Sequence, residues 1–141
     1  MRDRYGFRLL AILLFAVAAS AQAPPPPKQP TQSELRAGPD GLEGWTLNYT
    51  IPDHPNERFP MTLVIGRKGH ILRKIEGDGF VWNWIFWADG KQVAYESGPL
   101  HFGLVCILAD VATEKQLASY DCFHGIPEHA PDWLKALENV Q

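Results

Sequence analysis

The sequence predicts an all-β fold: an antiparallel meander sheet of roughly six to eight strands, blade-like or partly curled, with one short C-terminal helix. Three observations carry this expectation. Short apolar or alternating runs recur, separated by turns rich in glycine, proline and aspartate. The densest stretch, Phe80 to Phe123, holds Trp82, Trp84, Trp87 and both cysteines. Apolar residues at helical spacing (Trp133, Leu134, Leu137, Val140) come after the last turn and follow Pro131, a residue suited to a first helical position.

The 141 residues are a one-domain length. Residues 1–21 read as a signal peptide. Arg2, Arg4 and Arg8 make a basic start, Leu9 to Ala18 is an apolar run too short to span a bilayer, and Ala19 and Ala21 fit a small-x-small cleavage pattern. The expected address is therefore secreted or periplasmic, with no membrane insertion once the signal is removed. The net charge of −3 comes without a basic run, which argues against nucleic acid and against an anionic membrane surface. Residues 22–44 carry Pro24 to Pro27 and Pro30 and no hydrophobic period, so a disordered proline-rich linker is expected. Residues 45–141 are the expected domain.

Within that domain, Trp45 to Ile51 alternates Trp45, Leu47, Tyr49 and Ile51 against Thr46, Asn48 and Thr50, the pattern of a half-buried strand. Asn48-Tyr49-Thr50 is also a glycosylation sequon. Pro52 to Pro60, with its three prolines, reads as a loop. Met61 to Ile65 and His70 to Ile75 flank Gly66-Arg67-Lys68-Gly69 and make a hairpin. Its Arg67, Lys68, Arg73 and Lys74 form a small basic cluster, read as a solvated tip and edge. Glu76 to Gly79 lacks calcium-loop spacing and is a turn.

Phe80 to Trp87 is apolar on both faces. Strict alternation sends Phe80, Trp82, Trp84 and Phe86 one way and Val81, Asn83, Ile85 and Trp87 the other. Asn83 needs hydrogen-bond partners if buried. Asp89-Gly90 turns the chain into Lys91 to Ser97, and Gly98-Pro99 ends that strand. His101 to Val111 and Gln116 to Phe123 then form a last hairpin around Glu114.

Cys106 and Cys122 lie on the two arms of that hairpin, and in an oxidising compartment they read as a disulfide. A zinc set from Cys106, Cys122, His124 and His129 lacks paired ligand spacing, so no metal or cofactor is expected. Ser97 and His101, with Glu96 or Asp110 as the acid, share a neighbourhood but no nucleophile elbow, and no catalytic residue is assigned. Candidate ligand-binding residues are His101, flanked by Gly98 and Gly103, together with Trp84 and Trp87 as an aromatic platform.

Trp87 to Gly98 (WADGKQVAYESG) and Leu108 to Leu117 (LADVATEKQL) resemble one blade of the TolB-like and WD40-like β-propellers. In that family a strand ends in a turn bearing Trp and Asp-Gly and a later one in D-x-x-T-G-K. The resemblance, over about residues 80–122, implies a four-stranded antiparallel blade and a protein-binding role. Two departures stand out: Glu114 occupies the position of the blade's glycine, and no second copy of the motif occurs. The function expected is an exported, non-catalytic protein-binding or structural module whose protein partner is unknown. The alternative is a small exported enzyme or small-ligand binder using a pocket near His101 and the tryptophans.

Overall fold

The computed structural model describes residues 29–140. The signal-peptide reading and residues 22–28 of the linker reading lie outside them. Two antiparallel sheets account for most of the described residues, and one short helix follows them.

The first sheet holds β3 (Leu42–Ile51), β4 (His54–Arg67) and β5 (His70–Glu76). Two short edge segments, β1 (Thr31–Gln32) and β2 (Arg36–Ala37), pair with β3. This corrects the disordered-linker reading for residues 31–44. The segment has no apolar period of its own, but its backbone is held along β3, and Ser33 Oγ accepts from the Thr46 amide at 2.9 Å.

The proline-rich stretch expected to be a loop is also a strand. Only Pro52 and Asp53 turn, since Ile51 already faces His54. The prolines fit because β5 pairs with β4 only over Thr62–Arg67, leaving the earlier half of β4 an edge on that side. The next hairpin turn is tight: Arg67 faces His70, and Lys68 and Gly69 both take positive φ, the twist that suits a two-residue connection.

At Gly77 to Gly79 the chain crosses to the second sheet. There β6 (Phe80–Trp87), β7 (Gln92–Gly98), β8 (Val105–Asp110) and β9 (Gln116–Asp121) run as an antiparallel meander. The all-β meander with one short C-terminal helix is as the sequence predicts, and its strands fall into two antiparallel sheets packed face to face. Leu42, Leu63, Ile65 and Ile75 of the first meet Val81, Trp84, Val93, Tyr95 and Ala109 of the second. Trp84 lies so close over Gly44 that a Cβ there would sit 2.3 Å from its ring.

Two arginines tie the sheets at opposite places. Arg36 Nη1 donates to the Trp84 carbonyl at 2.9 Å, and its guanidinium sits 5.0 Å from the Trp84 ring centroid. Arg73 donates through Nε to the Val111 carbonyl at 2.8 Å and through Nη2 to the Ala112 carbonyl. Arg73 is therefore a sheet-to-sheet fastener rather than part of a free basic patch.

The outer face of the second sheet is covered by α1 (Asp132–Glu138), as the C-terminal spacing predicts. Trp133, Leu134 and Leu137 pack on Ala94, Cys106 and Leu108. Pro131 stands at the cap, one residue before the expected position. Seven residues are too few for a helix to persist unaided, so packing sustains it.

Candidate functional site

The most informative irregularity is a bulge in β6. Val81 faces Ser97 and Trp84 faces Tyr95, so Trp82 and Asn83 together stand opposite Glu96 alone. The extra residue breaks strict alternation. Val81 and Trp84 share the inner core, whereas strict alternation puts Trp84 with Trp82. Trp82 and Asn83 are released to reach β7 instead. Asn83 Nδ2 donates to Glu96 Oε2 at 2.9 Å, and Trp82 Nε1 donates to the Gly98 carbonyl at 3.1 Å.

A cavity of about 230 Å³ opens beside this bulge, lined by Trp82, Glu96, His101, Phe102 and Phe123. Gly98 allows the loop after β7 to fold tightly; a Cβ there would come 2.1 Å from the Gly103 carbonyl oxygen. The disulfide fixes the opposite wall. Cys106 pairs in register with Glu96, and Cys122, bonded to Cys106 across 5.9 Å between Cα atoms, immediately precedes Phe123. Both cysteines are thus joined as the sequence suggests, although Cys106 faces Tyr120 in the ladder and the bridge runs diagonally. Neither sulfur is a thiolate ligand, and among the described residues no three His, Cys, Asp or Glu side chains gather as a metal site.

Glu96 and His101 are the ionisable side chains of this lining. Burial raises the Glu96 pKa, the Asn83 hydrogen bond opposes that rise, and Glu138 on α1 adds to it. Among the described residues no ion pair engages Glu96. The rim is apolar and exposed: Phe102 is 80% and Phe123 54% exposed.

The three residues proposed from sequence as ligand-binding are not brought together. Trp84 is buried between the sheets, and Trp87 packs toward the helix. His101 is exposed in a loop rather than starting a strand, and its aromatic neighbours are Trp82, Phe102 and Phe123. Ser97, a sequence neighbour of His101, lies on the inner side of β7 with its hydroxyl buried and without a hydrogen-bond partner among the described residues. The signal that could have found the site was Asn83, a lone amide in an apolar strand.

A larger cleft of about 560 Å³ lies at the far end of the sandwich, among Arg67, Lys91, Asp40, Asp89 and Asp110. Its charged side chains are of both signs. Asp110 is engaged by the Thr113 hydroxyl and amide, which hold its pKa down, so it serves the turn.

The chain matches no family model, no curated protein and no solved structure. The second sheet is a four-stranded antiparallel meander in the order β6-β7-β8-β9. Unlike a blade in a closed ring, it is covered by a different sheet on one face and a helix on the other. Among the described residues no helix is long and apolar enough to cross a membrane.

Proposed function

We propose that this protein is an exported, non-catalytic module that binds a protein partner through the loop 99–104 and Phe123. The observation that carries this reading is the pair of solvent-facing phenyl rings, Phe102 and Phe123, on the rim of a pocket whose walls are fixed by the disulfide and by Gly98. Exposed aromatics on a preorganised scaffold are the anchors that dominate protein interfaces. Export is supported by the basic and apolar pattern of residues 1–21 and by the closed Cys106–Cys122 bridge, which persists in oxidising compartments.

The experiment is photo-crosslinking in the producing cells, with a benzophenone side chain placed at position 102, 123 or 72. Leu72 is exposed at the far end and serves as the control. One adduct of the same mass from positions 102 and 123, and none from 72, supports the reading. Equal adducts from all three, or none, rejects it.

A further inference from the structure

We propose that the pocket between Trp82, Phe102 and Phe123 takes an alkylammonium group, with Glu96 as its counter-charge. The inference rests on the binding reading above and names the chemistry recognised. Aromatic rings present negative faces, and several of them around a carboxylate form the standard receptor for an organic cation. Here Trp82 is locked by its bond to the Gly98 carbonyl, and Glu96 is oriented through one oxygen by Asn83, with no donor to Oε1 among the described residues. Its charge is unpaired among the described residues. A neutral apolar ligand would leave that carboxylate desolvated without compensation, whereas a cation supplies it.

Size points the same way. The cavity of about 230 Å³ lies below the roughly 300–1,000 Å³ of drug-sized pockets, which suits a single head group. A lysine side chain of a partner and a free quaternary ammonium compound share this chemistry.

The test is a titration of the oxidised domain followed by the Trp82 indole N–H signal in NMR. Choline, acetyl-lysine amide with a free side-chain amine, and the neutral alcohol in which carbon replaces choline's nitrogen are the three probes. We expect saturable shifts with at least one ammonium probe. Binding of the neutral alcohol, and of the better ammonium probe to a folded Glu96→Gln variant, should be weaker by about tenfold or more, the equivalent of about 1.4 kcal/mol. Preference for choline identifies a quaternary ammonium, and preference for the lysine probe a primary one. Equal binding of the neutral alcohol, undiminished binding by the Glu96→Gln variant, or no saturable shift with any ammonium overturns the proposal. If adducts at position 102 survive while no cation binds, the docking face stands and only the cation is lost. If cations bind but adducts vanish, the protein partner is lost and the pocket stands.

Discussion

Glu96 shows how one side chain couples the site to stability. Its carboxyl is half-buried beside Asn83, and burial lifts its pKa above the ordinary 4.5. It therefore holds its proton more tightly in the folded chain than in the unfolded one. The stability associated with it is full below the unfolded value and is lost as pH rises through the raised one. Asp110 works in the opposite sense: Thr113 lowers its pKa below 3.8, so its contribution is present above that value and lost as pH falls through the lowered one. Glu96→Gln keeps an acceptor for Asn83 and removes the charge. Urea midpoints measured from about pH 4 to pH 8 should fall for the parent relative to this variant. Parallel profiles would mean that burial leaves Glu96 untouched. At this scale the sequence flagged the right kind of residue, since Asn83 in an apolar run demanded a partner. It could not name Glu96, because that pairing depends on a bulge with no glycine or proline to mark it.

At the scale of elements, the last hairpin was the most legible part of the chain. Its turn was marked by Asp110, Thr113 and Lys115, and by Glu114 where the resembling blade has glycine. The structure gives Glu114 a φ of 61°, the left-handed conformation that glycine adopts freely. The Cys106–Cys122 bridge clamps this hairpin across a sequence separation of 16. In the chain-entropy model a loop near this length contributes about 3 kcal/mol. The double variant Cys106→Ala/Cys122→Ala should lose about that much in urea unfolding. Unchanged stability would show that the hairpin needs no clamp. The β3–β4 hairpin was less legible. Prolines are turn signals in isolation, yet Pro55 and Pro60 sit in a strand because only half of β4 is flanked by β5.

At the scale of the molecule, three layers stack: sheet, sheet, helix. The middle sheet is covered on both faces, which explains why Phe80 to Trp87 carries apolar residues on both sides. Leu134 is fully buried where α1 meets that sheet. Leu134→Ala should cost about 2–5 kcal/mol, the range for a leucine truncated in a packed core, measured as a shifted denaturant midpoint. A loss well under 1 kcal/mol would mean that the helix is a loosely attached tail.

The sequence alone determined the all-β class, the runs that become β5 to β9, the terminal helix and the cysteine pair. These follow from periodicity, turn residues and composition, which act within a few residues of each other. Tertiary structure decided the division into two sheets, the pairing of residues 31–37 with β3, the inward turn of Trp84 and the gathering of Trp82, Glu96, His101, Phe102 and Phe123. Each of these depends on register between distant strands. One extra residue in β6 reverses which side chains face the core, and the free energy that fixes it comes from partners the local pattern cannot see.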